Sequence, residues 1–196
     1  MLVCLTGIDG CGKTSQIKLL VKALEALGRS VYVSKALTDD LKRTTGDWLR
    51  SWDDVAITFL FQAFHAQQRA IAEEYISKDY IVLADRWDES FLAYHSLHGN
   101  LSKDDSLRSA LNEMAFQGIV PDLTFLLWVS SASAESRRSA RAFSDIFDNR
   151  DLKYFEMIQC EYERLAKERS WIIVDASRSK SEVHSEIFSA IKPLLH

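Results

Sequence analysis

The chain has 196 residues, 24 Lys+Arg against 28 Asp+Glu for a net charge of −4, and is 47% hydrophobic and 27% charged. That length and balance fit one globular domain over 1–196 with a sizeable core, and exclude an intrinsically disordered chain. The mild acidity argues against a protein that coats nucleic acid through a basic surface, while leaving room for a local phosphate-binding pocket.

In chain order, the first element is the solid apolar run Leu2–Leu5, which reads as a strand buried on both faces. It leads into Gly7-Ile8-Asp9-Gly10-Cys11-Gly12-Lys13-Thr14, a full G-x-x-x-x-G-K-[ST] motif that holds three of the chain's seven glycines. Ile17, Leu20, Val21, Leu24 and Leu27 then recur at helical spacing, and Gly28 follows as a stop signal. Val31–Val33 is the second strand. Leu60, Phe64, Ile71 and Tyr75 mark a long helix over about 54–77, and Ile81–Ala84 is the third strand. Leu123–Val129 is the fourth, followed by a helix carrying Leu152, Phe155, Ile158, Tyr162 and Leu165 on one face. Trp171–Val174 is the fifth strand, and Val183, Ile187 and Ile191 mark a last helix. Alternation of this kind predicts an α/β domain: a five-stranded parallel sheet with crossover helices on both faces. Ligands in such sheets bind beyond the carboxyl ends of the strands.

The motif after the first strand carries the clearest chemistry. Its glycines let the loop curl so that successive N–H groups face one anion, and the helix beginning near Lys13 adds its positive end. Lys13 supplies a mobile charge for outer phosphates and Thr14 a hydroxyl for Mg²⁺. A plain glycine-rich turn between strand and helix is the bland alternative. Cys11 reads as a small residue filling that turn, the alternative being a thiol activated by the helix start. At the end of the third strand, Asp85 is placed to hold a metal through water. The adjacent Arg86 offers a fork for a terminal phosphate; a surface ion pair is the bland reading. Arg137, Arg138 and Arg141 cluster between the fourth strand and the next predicted helix, either as a solvated basic face or as a lid that closes over a nucleotide and excludes water.

Taken together, these residues resemble the thymidylate kinases. The resemblance rests on Gly7–Thr14 followed by Ser15-Gln16, and on Asp85-Arg86-Trp87 with Ser90 and Ala93-Tyr94. Pro121-Asp122-Leu123-Thr124 and Asp175-Ala176-Ser177 extend it over nearly the whole chain. It implies the P-loop NTPase fold with a lid at about 137–150, and the reaction ATP plus dTMP giving ADP plus dTDP with Mg²⁺. By the same resemblance, Gly7, Ile8, Asp9, Gly10, Cys11, Gly12, Lys13 and Thr14, with Arg137 and Ala176, form the ATP side, while Thr14 and Asp85 serve the metal. Asp9 contacts the acceptor's sugar and phosphate region, Arg86 with Ser90 grips its phosphate, Tyr94 lies against the sugar and disfavours a 2′-hydroxyl, and Phe61 stacks on thymine. Lys13, Asp9, Arg141 and its helper Arg138 are the expected catalytic set, because Gly10 occupies the place where some members carry a loop arginine. A homodimer through long helices is also implied, with the apolar stretch Val55–Ile76 as one such face.

Four departures stand against the family pattern. Ser34-Lys35-Ala36-Leu37 replaces an Arg-Glu-Pro stretch, so Lys35 brings charge without a fork. His65 stands where an arginine bonds the base, four residues after Phe61. Asp145-Ile146-Phe147-Asp148 lacks the lid's second arginine, and Leu127-Trp128-Val129 replaces Leu-Asp-Val. The ATP half is thus better preserved than the acceptor half. Two other readings therefore stay open: a kinase for another nucleotide or small phosphate acceptor, and a nucleotide-binding regulatory or inactive relative. Cys4, Cys11 and Cys160 form neither a disulfide framework nor a zinc pattern. Leu2–Leu5 lacks the basic flank of a signal peptide, and no apolar stretch approaches the ~20 residues of a membrane span. The expectation is a cytoplasmic enzyme with no membrane or nucleic-acid partner.

Overall fold

The computed structural model describes residues 1–95, 101–140 and 151–195. Five parallel strands, β1 (Leu2–Thr6), β2 (Val31–Ser34), β3 (Ile81–Asp85), β4 (Leu123–Trp128) and β5 (Ile172–Asp175), form one sheet in the order β2-β3-β1-β4-β5. The central strand β1 pairs Leu2 with Val82 on one side and Val3 with Leu123 on the other. Because successive side chains of a strand point to opposite faces, β1 and β3 feed two separate cores. Val3, Leu5, Ile81 and Leu83 pack in the core that contains Ile17, Leu20 and Leu24. Leu2, Cys4, Val82 and Ala84 pack in the core that contains Ala72, Ala115 and Phe116. Helices thus cover both faces, as the solid apolar runs require.

That reading holds for β1 and β3, every residue of which is buried. It does not hold for β2 and β5. Both are edge strands, and Val33 and Ile173 are exposed. An apolar run on an edge strand is covered incompletely, because one side of the strand has no neighbour.

The helices are α1 (Lys13–Ala26), α2 (Asp39–Ser51), α3 (Asp54–Ser77), α4 (Asp88–His95), α5 (Asp105–Phe116), α6 (Ser131–Ser139), α7 (Leu152–Glu168) and α8 (Lys180–Ile191), with a final 3₁₀ turn at Lys192–Leu194. Helix α3 has the bounds expected from its apolar period, and Asp53 caps it by accepting from the N–H groups of Val55 and Ala56. Helices α2, α4, α5 and α6 are not anticipated by apolar spacing. Their buried faces include Thr45 and Gly46 in α2, Asp88, Glu89 and Ser90 in α4, Arg108 and Asn112 in α5, and Ala134 with Arg138 in α6. Polar and small residues carry no hydrophobic period. Arg137 and Arg138 therefore belong to the last turns of α6 and not to a loop. Among the described residues no helix is long and apolar enough to cross a membrane.

All five strands present their carboxyl ends to one edge of the sheet. The connection from β1 leads to one side of the sheet and that from β3 to β4 leads to the other, so the topological switch falls at β1. The phosphate-loop motif begins there.

Candidate active site

The loop after β1 closes on itself through Cys11 N–H donating to Ile8 O at 3.2 Å, and α1 starts at Lys13 behind a left-handed Gly12. Lys13 is buried and curls back: Nζ donates to Gly7 O at 2.8 Å and Ile8 O at 3.2 Å, and lies 3.7 Å from Cys11 Sγ. Cys11 is itself buried, which matches its reading as a small filler of the turn. Thr14, one residue on, is exposed.

Gly10 has φ +94°, and a Cβ there would stand 2.3 Å from the carbonyl oxygen of Ala134 in α6. No side chain fits that approach, so the lack of a loop arginine follows from how tightly α6 sits on the loop. Helix α6 carries two arginines in its last turns. Arg138 is buried; its guanidinium lies 3.7 Å over the Phe155 ring and Nη1 donates to Asp9 O at 2.7 Å. It does not lie on a solvated basic face. Arg137 turns the other way and donates to Ala176 O at 3.0 Å, tying α6 to the exit of β5. Arg141 and the rest of the expected lid to residue 150 lie outside the described residues.

On the other side of β1, Arg86 leaves β3 with φ +72°, an uncommon conformation for a bulky residue. The backbone holds it there: its N–H donates to Leu5 O at 3.1 Å, and its carbonyl accepts from Gln68 Nε2 at 3.0 Å. The guanidinium then reaches Asp9 Oδ1 at 2.8 Å and Tyr94 Oη at 3.3 Å through Nη2, and Ser90 Oγ at 3.4 Å and the Tyr162 hydroxyl through Nη1. The rings of Tyr94 and Tyr162 flank it at 5.4 and 5.9 Å. Burial pushes both phenols up, so they stay neutral hydrogen-bonding groups. Burial also opposes ionisation of Asp9. The Arg86 and Lys13 charges and the Arg86 hydrogen bond outweigh it and hold the carboxyl well below the usual carboxylate range. The same Oδ1 lies 3.8 Å from Lys13 Nζ. One oxygen thus links the loop lysine to the β3 arginine.

A family description, thymidylate kinase, matches residues 5–187 of this chain. The chain belongs to the thymidylate kinase family. Among individual relatives, the probable thymidylate kinase of Methanocaldococcus jannaschii is 31% identical over all of this chain and 98% of that protein. The thymidylate kinase of Solidesulfovibrio magneticus is 30% identical over the full length of both, and that of Halothermothrix orenii 28% over all of this chain and 98% of its own.

Within this thymidylate kinase fold, the remaining expected residues fall into two groups. Asp85 ends β3 with its Oδ2 3.8 Å from Lys35 Nζ, so the lysine after β2 faces the candidate metal carboxylate. Asp85 and the exposed Thr14 hydroxyl are hard oxygen donors. Among the described residues, no group of three or more His, Cys, Asp or Glu is placed to cage a metal. Phe61 and His65 lie further along α3. The His65 ring stands 6.2 Å from Phe61, 6.2 Å from Phe91 and 5.3 Å from Phe116. Burial, with a smaller contribution from His95, lowers the His65 pKa to about 3. His95 is lowered to about 4, chiefly by burial, with Asp54 and Arg108 acting in opposite senses.

Tyr162 is the functional residue that sequence reasoning missed. Its position suits the apolar face of α7, but its hydroxyl reaches Arg86 and lies 2.9 Å from Ser90 Oγ. A tyrosine in a core register is the one available signal, since its hydroxyl needs a partner when buried.

Two outcomes follow from this geometry. Replacing Gly10 by Ala forces a Cβ onto the Ala134 carbonyl at a strained φ, so thermal unfolding should shift down by at least about 3 °C, a cost of ~1 kcal/mol or more. Binding of a fluorescent ATP analogue should weaken in parallel. His65 is neutral when folded and protonates near pH 6.5 when unfolded, so its contribution is intact above pH 6.5 and declines as pH falls toward 3. Chemical denaturation of the parent should therefore lose up to ~1.4 kcal/mol per pH unit in this window relative to His65→Gln.

Proposed function

We propose that this protein transfers the γ-phosphoryl group of ATP to dTMP, giving ADP and dTDP. The observation that carries the reading is the shared Asp9 oxygen, 3.8 Å from Lys13 and 2.8 Å from Arg86. It sets a donor-phosphate cradle and an acceptor-phosphate fork against each other at the switch point of the sheet. Family membership and the thymidylate kinase names of the relatives supply the substrate pair.

In this reading, the loop N–H groups and Lys13 bind the β- and γ-phosphates. Arg86, locked between Tyr94 and Tyr162, turns its fork onto the dTMP phosphate and holds one of its oxygens in line with the γ-phosphorus. That oxygen forms the new P–O bond as the bond to the β-bridging oxygen breaks, and the electron pair leaves with ADP. Thr14 and, through water, Asp85 would hold Mg²⁺, which would supply charge neutralisation at the phosphates. Arg138, already anchored on the loop, and Arg141 stabilise the charge spread over the transferring group. Phe61 stacks on the base, and Tyr94 crowds the 2′ position of the sugar.

The exposed Trp48, Trp52, Val55 and Phe59 near the start of α3 make an apolar face suited to a homodimer.

ADP release with ATP and Mg²⁺ should be stimulated by dTMP and dUMP at least tenfold more efficiently than by UMP. Arg86→Lys keeps the charge but loses the fork, and should raise the acceptor KM more than tenfold with little change in the ATP KM. Absence of stimulation by every deoxynucleoside monophosphate would overturn the assignment.

A further inference from the structure

Glu89 lies one residue before Ser90 in the first turn of α4 and is 1% exposed. Among the described residues, the nearby cations pair with Asp9, Asp85 and Asp88, and none pairs with Glu89. Burial and the charge of Asp88 push its pKa up, against the hydrogen bonds that it accepts. An apolar side chain of the same size would cost less there. What Glu89 touches explains its presence.

Both carboxylate oxygens accept from the Trp87 N–H, each at 3.0 Å. The carbonyl of the same peptide group, that of Arg86, accepts from Gln68 Nε2 at 3.0 Å. The Arg86–Trp87 peptide is therefore held at its donor and at its acceptor, directly after the left-handed φ of +72° at Arg86. A non-glycine residue stays in that conformation only where its surroundings enforce it. Glu89 thus grips the root of Arg86.

It also acts on the tip. Glu89 Oε1 accepts from Ser90 Oγ at 3.2 Å, which uses the one hydrogen of that hydroxyl. Ser90 Oγ can then only accept from its other neighbours, the Tyr162 hydroxyl at 2.9 Å and Arg86 Nη1 at 3.4 Å. With its own hydrogen directed at Ser90, the Tyr162 oxygen is left to accept from Arg86 Nη1. One buried carboxylate therefore sets the direction of two hydroxyls, so that both present oxygens and not hydrogens to the guanidinium. We propose that Glu89 is a positioning residue of the acceptor site: it fixes the Arg86 guanidinium by holding the peptide at its root and, through Ser90 and Tyr162, the hydroxyls at its tip. This rests on the reading of Arg86 as the group that binds the acceptor phosphate of a deoxynucleoside monophosphate kinase.

The test is a double-mutant cycle on the full-length protein with Glu89→Gln, Tyr162→Phe and the two combined. Glutamine keeps the shape and one acceptor for Trp87, but turns its amide hydrogens toward Ser90 and so reverses the hydroxyls. Glu89→Gln should weaken dTMP binding by calorimetry, and raise the dTMP KM, about fivefold or more, while the ATP KM stays within about twofold. The combined variant should lose no more than about twofold beyond the worse single one, because both substitutions act on Arg86 through the same hydroxyls. An unchanged dTMP affinity in folded Glu89→Gln would overturn the proposal, as would an additive double variant or an equal loss of ATP and dTMP binding. If Glu89→Gln does not fold, Glu89→Asp takes its place. Its carboxylate is one methylene too short to reach Ser90 while holding Trp87, and the same outcomes apply. Loss of dTMP affinity in Arg86→Lys but not in the Glu89 variant leaves the kinase reading standing and removes only this inference. Failure of the parent protein to bind any deoxynucleoside monophosphate removes both.

Discussion

A single carboxylate oxygen, Asp9 Oδ1, organises this site. It receives Arg86 from the end of β3 and lies near Lys13 from α1, so two cations that would otherwise repel each other share one anion. Each partner is held by something else as well. The backbone of Arg86 is pinned by Leu5 and Gln68, Lys13 is curled onto loop carbonyls, and the Asp9 carbonyl is tied to Arg138. Preorganisation of this kind lets fixed charges act on phosphates without reorganising at the moment of transfer. The two tyrosines that sandwich Arg86 come from α4 and α7. The setting of the Arg86 guanidinium therefore depends on three elements that are distant in sequence and meet only beyond the strand ends.

The half of the site nearest β1 was legible because its chemistry is local. A strand buried on both faces, a glycine loop and a helix start lie within a few residues, and each leaves its own mark in composition. The bounds of helix α3 were legible from an apolar period over many turns, but its fully buried face is Thr58, Gln62, His65, Gln68 and Ala72, while Leu60, Phe64, Ile71 and Tyr75 are only half-buried. Helix α6 was not, because Ser, Ala and Arg occupy it and its buried residues are Ala134 and Arg138. An arginine seated on Phe155 and bonded to a loop carbonyl looks in sequence like one more surface charge. Tyr162 was hidden in the opposite way. Its spacing marked it correctly as core, while the hydroxyl that matters to Arg86 does not show in any period. The edge strands β2 and β5 read as central, since an apolar run does not reveal whether both neighbours are present.

The acceptor half departs from the family in a physically coherent manner. With His65 neutral on α3, Phe91 on α4 facing it and Phe116 completing the contact, the cluster around His65 is aromatic and free of charge. Charge is concentrated instead beyond the strand ends, in Arg86, Asp9 and the Lys35–Asp85 pair.

The central place of β1 also bears on how the molecule is made. Leu2 finds its partner in Val82, 80 residues downstream, and Val3 finds Leu123, 120 residues downstream. During synthesis at ~5–20 residues per second, the most apolar strand emerges first and waits roughly 4–16 s for even its first neighbour. Over that interval the nascent segment is a bare edge on both sides, with no strand to satisfy its backbone.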